Sequence, residues 1–215
     1  MSANSTSAYA DAPTSGEGPP VLVLHSWFGL TDAIKDRCND LADAGYCALA
    51  PDLFGGRTTD DPAEGERLLL EADPNQLALG VSSCADLLTR MPASSGAPIA
   101  VIGYSMGASL GLWLAEREPL LVDRVVAFYG TQSMDFTEAR AAYQFHMAAA
   151  DPMVDPDEMA LMEASLAMLD RPIEVFDYEA DHFFAEPGTP GHDATAERDA
   201  WTRVMEFLDR DGHNA

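Results

Sequence analysis

The sequence holds a single lysine, Lys35, and only 12 basic residues in all against 36 Asp and Glu, a formal charge of −24 over 215 residues. A surface this negative repels phosphate backbones and anionic membranes, so neither nucleic acid nor a membrane is an expected partner. Composition of this kind occurs in salt-adapted proteins, and an Ala/Asp/Arg-rich chain also arises from coding bias. Cysteine is scarce as well. Cys38, Cys47 and Cys84 are odd in number and show no C-x-x-C spacing, which argues against a disulfide framework and against a structural zinc site. Each sits among apolar or helical residues, where cysteine behaves as a small buried hydrophobe. No apolar run approaches the ~20 residues that a membrane span needs. The first 18 residues, rich in Ser, Ala, Gly and Pro, lack both a basic segment and an apolar one. They read as a flexible tail rather than a signal peptide, and a cytoplasmic, reduced protein is the expectation.

What is present is ordinary for a globular chain, 47% hydrophobic and 22% charged, and the length suits one domain over residues 19–210. Val21-Leu22-Val23-Leu24 reads as a fully buried strand. A helix carrying Ile34, Cys38, Leu41 and Ala42 follows, and Gly45 ends it. Tyr46 to Ala50 is a second strand, and helical periodicity runs from Glu64 to Arg90 with a break near Pro74. Further strands are expected at 98–103, 122–129, 142–147 and 172–178, with helices at 105–116, 158–169 and 196–209. Strands alternating with helices of this length indicate an α/β protein: a mostly parallel central sheet with helices on both faces. Reactive groups then collect at the carboxyl ends of the strands.

At one such end stands Gly103-Tyr104-Ser105-Met106-Gly107, which fits G-x-S-x-G between a buried strand and a helix. That context is the nucleophile elbow, in which a strained turn lifts the serine hydroxyl to the helix N-terminus. The backbone N–H of Met106 can there donate to a developing oxyanion. A serine needs a base, and the base an orienting acid. In α/β-hydrolase order both follow the serine. His25 precedes it, His146 lies inside an expected strand and His213 lies in the terminal tail, leaving His182 and His192. His182 is preferred because it stands in a loop at a strand's carboxyl end. For the acid, Asp151 ends the stretch Ala148-Ala149-Ala150-Asp151, 46 residues after the serine and 31 before His182. Asp155 and Asp157 are rivals, although Asp155 before Pro156 also suits a helix cap. A second oxyanion donor is expected from the loop His25-Ser26-Trp27-Phe28-Gly29, through the N–H of Trp27.

These residues resemble the dienelactone hydrolase family, an α/β-hydrolase family. The likeness runs over roughly residues 21–208 and is carried by VLVLHSWFGL at 21–30, GYCALAPDLFGG at 45–56, VIGYSMGASL at 101–110, FHMAAADPMV at 145–154 and YEADHFF at 178–184. It implies a triad of Ser105, Asp151 and His182. It also exposes three departures. Better-known members carry cysteine where this chain has Ser105, and glutamate where it has Ser26. Both changes suit a serine that gives up its proton to the base only during attack. Third, an arginine that members acting on dienelactone hold a few residues after the histidine is replaced here by Glu186.

The expected activity is a cofactor-free serine hydrolase acting on carboxylic esters, lactones or thioesters of small molecules through an acyl-enzyme. Ser26, Phe28, Arg57 and Phe183 are the candidate substrate contacts, with Arg57 or Arg67 the possible source of a cation. The alternative is a ligand-binding or regulatory protein that keeps the scaffold and turns over little. A monomer or homodimer is expected, the latter because residues 1–18 look poorly suited to cover an edge of the sheet.

Overall fold

The computed structural model describes residues 7–149 and 151–210. Among them are seven strands: β1 (Ala8–Asp11), β2 (Pro20–Leu24), β3 (Cys47–Pro51), β4 (Ile99–Tyr104), β5 (Val122–Phe128), β6 (Ala142–Ala148) and β7 (Ile173–Tyr178). Six helices connect them: α1 (Asp32–Asp43), α2 (Pro62–Glu71), α3 (Pro74–Thr89), α4 (Met106–Arg117), α5 (Pro156–Met168) and α6 (Ala194–Asp209). The sheet runs β1-β3-β2-β4-β5-β6-β7, with every pairing parallel except β1 against β3.

Because side chains alternate along a strand, the buried strands feed two cores. Leu22, Leu24 and Val101 face a core closed by Val81, Cys84 and Leu88 of α3, Leu112 of α4 and Met162 and Leu166 of α5. Val21, Val23 and Ile102 face the other, closed by Ile34, Cys38 and Leu41 of α1 and Val204 and Phe207 of α6. The three cysteines are buried free thiols, and burial pushes Cys38 up to about 12.

Some of the acidic excess builds the helices. Asp61, Asp73, Asp155 and Asp193 each cap a helix by accepting from a backbone N–H of its first turn. In the first three a proline follows as the first helical residue, which needs no donor partner there. Asp155 is thereby accounted for as a cap. The break near Pro74 is the short link between α2 and α3.

Two expectations need correction. Residues 8–11 are not a flexible tail but the antiparallel edge strand β1, in register with β3 from Ala8↔Pro51 to Asp11↔Ala48. The segment is short and weakly alternating, so periodicity alone does not mark it as a strand. Tyr9 anchors it by donating to Asn39 of α1 at 2.7 Å, and Ser7 donates to Asp52 at 2.9 Å. The edge of β3 is consequently covered from within the chain. Residues 1–6 of the expected tail, and His213, lie outside the described residues.

Deleting residues 1–12 should uncover the β3 edge. Losing a few net hydrogen bonds, about 1–2 kcal/mol, should lower the melting temperature by roughly 3–8 °C. Self-association should also appear in size-exclusion chromatography. A truncated chain that melts and elutes like the full one would show that β1 contributes nothing.

Candidate active site

The turn from β4 into α4 is tight enough to require its glycines. A Cβ on Gly103 would lie 2.4 Å from the Gly107 carbonyl oxygen, and one on Gly107 would lie 2.2 Å from the carbonyl oxygen of Leu24. Strand and helix can therefore cross closely only with hydrogen at both positions. Ser105 between them is held at φ 51°, ψ −112°, a region that costs a non-glycine residue about 1–3 kcal/mol. The remaining non-glycine residues at positive φ among those described are Tyr129, Phe183 and Asp170. Two of these, Tyr129 and Phe183, pack on His182, so three of the four stand at one place.

The loops after β4, β6 and β7 bring three sequence-predicted residues together. Ser105 Oγ lies 3.0 Å from His182 Nε2, and Asp151 Oδ2 lies 2.5 Å from His182 Nδ1. With Asp151 accepting from Nδ1–H, Nε2 is left free to accept the serine proton. Asp151 Oδ1 is itself fixed by the N–H of Met153 at 2.8 Å. The side chains of Asp151 and His182 are 3% and 6% exposed, so solvent weakens their attraction little. The rings of Tyr129 and Phe183 lie 4.8 and 4.2 Å from that of His182 and set its plane.

Other candidates are occupied elsewhere. His192 pairs with Glu197 at 2.6 Å, and Asp157 lies within the first turn of α5. His146 sits between the Tyr178 hydroxyl and the Gln144 carbonyl oxygen. His25 donates from Nδ1 to Ser26 O and accepts at Nε2 from the N–H of Leu53. That bond ties the loop after β2 to the loop after β3. Burial pushes His25 down to about 4 and His146 to about 3.

Trp27 belongs to the first of those loops. Among the described residues, neither its backbone N–H nor that of Met106 donates to a protein acceptor. The first N–H groups of a helix have no partner within it, which leaves Met106 available to a ligand. The Trp27 ring packs against Phe183, with centroids 5.3 Å apart. Gly65 of α2 lies against the same indole, where a Cβ would come within 2.8 Å.

The expected substrate contacts fare differently. Ser26 and Phe28 are both 0% exposed, so their side chains support the loop from behind and present no surface to a ligand. Phe183 is 6% exposed. Arg57 bonds to Glu71 and to the Phe54 carbonyl, and Arg67 to Glu64 and Glu71. Both guanidiniums are thus matched by carboxylates on the surface of α2.

Glu186 departs most from its sequence reading. It is 2% exposed, with Ser26 Oγ–H donating to Oε2 at 2.7 Å and Tyr129 Oη–H donating to Oε1 at 2.9 Å. Burial pushes its carboxyl up to about 7, against the opposite pull of these two bonds. A glutamate at the end of the apolar run Phe183-Phe184-Ala185 was the available signal of burial. Its partners come from the segments just after β2 and β5, far away in sequence.

The whole described chain matches a known pattern. The model of the dienelactone hydrolase family matches residues 6–211. The chain belongs to that family. Membership makes it a hydrolase acting on ester bonds, and the sheet and helices have the α/β-hydrolase arrangement. Among curated proteins it is 28% identical to protein usf of Aquifex pyrophilus, over 93% of this chain and 91% of that one. It is also 28% identical to carboxymethylenebutenolidase 1 of Cupriavidus pinatubonensis, over 94% and 90%. A crystal structure of a putative dienelactone hydrolase from Klebsiella pneumoniae superposes with a TM-score of 0.82 at 23% identity, covering 95% of this chain and 93% of that one. A dienelactone hydrolase-like promiscuous phosphotriesterase from metagenomic libraries gives 0.79 at 26% identity, covering 96% and 98%. No helix among the described residues is long and apolar enough to cross a membrane.

The buried groups set opposing slopes of stability with pH. Glu186 is raised in the fold from 4.5 to about 7, so its contribution is full below about pH 4.5 and is lost as pH rises through 7. At ~1.4 kcal/mol per pH unit the loss amounts to about 3 kcal/mol. His25 and His146 are lowered in the fold, so their contribution is lost as pH falls below 6.5. Urea unfolding at pH 5 and pH 9 should therefore show Glu186→Gln losing less stability than the wild type over that interval. Equal losses would mean that Glu186 titrates as an ordinary carboxyl.

Proposed function

We propose that this chain is a serine hydrolase that cleaves carboxylic esters, lactones or thioesters of small molecules through an acyl-enzyme, without a cofactor. The observation that carries the reading is the continuous bridge from Ser105 through His182 to Asp151. His182 Nε2 takes the proton as Ser105 Oγ bonds to the substrate carbonyl carbon, and the carbonyl oxygen becomes an oxyanion. The N–H groups of Trp27 and Met106 hold it, a contribution worth about 3–4 kcal/mol per donor in comparable sites. Asp151 keeps the imidazole in the required tautomer and stabilises the imidazolium. His182 then returns the proton to the leaving group as its bond to the carbonyl carbon breaks. Water, deprotonated by His182, releases the acyl group and restores Ser105.

Substrate preference follows from charge. Arg57 and Arg67 are engaged by Glu64 and Glu71, and the chain carries −24 overall. An anionic substrate therefore lacks the charged donor that would hold its carboxylate. We infer that uncharged esters and lactones are favoured over dienelactone itself. Absence of one charged hydrogen bond costs about 1.5–3 kcal/mol. An uncharged aryl ester should accordingly exceed its carboxylate-bearing analogue in kcat/KM by at least about tenfold. Equal turnover would mean that a cation reaches the substrate after all.

The direct test is intact-protein mass after exposure to a fluorophosphonate. A single adduct on the wild type and none on Ser105→Ala is the expected result, with ester hydrolysis by the variant reduced by a factor on the order of 10³ or more. Folded protein that takes no adduct would instead favour a ligand-binding protein on a hydrolase scaffold.

A further inference from the structure

Glu186 plays no part in the triad, yet it is the carboxyl on which two walls of the site converge. On one side Ser26 donates to it, while the Ser26 Oγ accepts from the N–H of Phe28 at 3.2 Å. Trp27, the oxyanion donor, lies between these two residues in the chain. On the other side Tyr129 donates to it, with its ring against His182. One carboxylate thus accepts two hydroxyls, one belonging to the oxyanion loop and one to the residue that flanks the catalytic base. We propose that Glu186 is a positioning residue whose ionised form aligns the Trp27 N–H and the His182 imidazole for the chemical step.

This inference rests on the serine-hydrolase reading above. A carboxylate can accept from both hydroxyls at once, whereas a carboxylic acid must donate through one oxygen, and one of the hydroxyls then has to turn. Tyr129, which donates to the carboxyl, is the same residue whose ring packs on the imidazole of His182. Tyr129, Tyr104 and His25 around Glu186 do not change charge over the working range. Burial raises Tyr129 and Tyr104, which remain phenols, and lowers His25, which remains neutral. Arg37 of α1 adds a fixed positive charge near both tyrosines, itself paired with Asp40 and Glu197. Asp151 is held on His182. With its carboxyl pushed up to about 7, Glu186 exchanges its proton where the enzyme works.

The test compares wild type with Glu186→Gln, which keeps shape and one acceptor but cannot ionise. The rate of fluorophosphonate labelling is followed from pH 5 to pH 9. In the wild type the labelling rate should rise through a step near pH 7 as Glu186 ionises. Glu186→Gln should lose that step and show a plateau lowered about tenfold, with kcat for an ester falling and KM unchanged. A purely structural role would alter the melting temperature and leave the step as it was. In parallel, the Glu186 carboxyl carbon is titrated by NMR. The Trp27 and Phe28 amide signals should move with it near pH 7, and this movement should vanish in Glu186→Gln. A step near pH 7 that persists in Glu186→Gln, or Glu186 titrating near 4.5 with those amides unmoved, would overturn the proposal. Wild type that takes no label would remove the nucleophile reading instead, and the NMR titration would then decide whether Glu186 orders the loop.

Discussion

Hydrogen atoms at Gly103 and Gly107 let β4, α4 and the end of β2 approach within a backbone's width, and the site is built on that crossing. It forces Ser105 into a conformation that a serine otherwise avoids. It also brings the loop after β2 beside the first turn of α4, where Gly107 lies against the carbonyl oxygens of Leu24 and His25. The strain is sustained because the surrounding strands are fully buried and paired on both sides. A domain whose net stability is about 5–15 kcal/mol can hold one such residue only where packing leaves no alternative.

The juxtaposition of Ser105, His182 and Asp151 was legible in the sequence because each member is announced locally. Ser105 lies inside a spaced glycine pattern, Asp151 directly after an apolar run, and His182 in a loop closing the next strand. The buried strands were legible for a similar reason, since a continuous run of Val, Leu, Ile and Ala between helices has few other uses. The strand β1 was not, because four half-exposed residues carry too little pattern to distinguish pairing from solvation. Ser26, Phe28 and Glu186 were misplaced for a different reason. Sequence position put them beside the reactive groups but says nothing about the direction in which a side chain leaves the loop. Their actual environment comes from contacts 57 and 160 residues apart.

Under the proposed mechanism a buried carboxyl behind the loop of Trp27 looks counterproductive, since negative charge there opposes the charge that develops on the substrate. The geometry reduces the conflict. Glu186 meets the oxyanion loop through the Ser26 hydroxyl, not through Trp27, so a dipole stands between the two negative centres. On the other side it reaches His182 through Tyr129, whose hydroxyl donates to the carboxyl and whose ring packs on the imidazole. In the proposed serine mechanism the order in which charge forms matters. A thiolate can exist before substrate arrives, whereas a serine becomes an anion only as the imidazole becomes a cation. A carboxylate joined to the base through Tyr129 and to the loop of Trp27 through Ser26 suits the second kind of chemistry.

The same carboxyl links function to stability. Ionising a group whose folded-state value lies near 7 costs the fold stability, so the ionised form is the less stable one. The slopes set by His25 and His146 run the other way, so these three buried groups together favour the interval in which Glu186 is partly protonated. His25 belongs to this balance structurally as well, because its neutral ring is both donor to Ser26 and acceptor from Leu53. Protonating it would remove the acceptor and release the loop after β3 from the loop that carries Trp27. The oxyanion loop is therefore held by two buried groups with opposite requirements: a histidine that must stay neutral and a glutamate that must lose its proton. Both conditions are met together only above about pH 7, where the carboxylate is formed and the imidazole is uncharged.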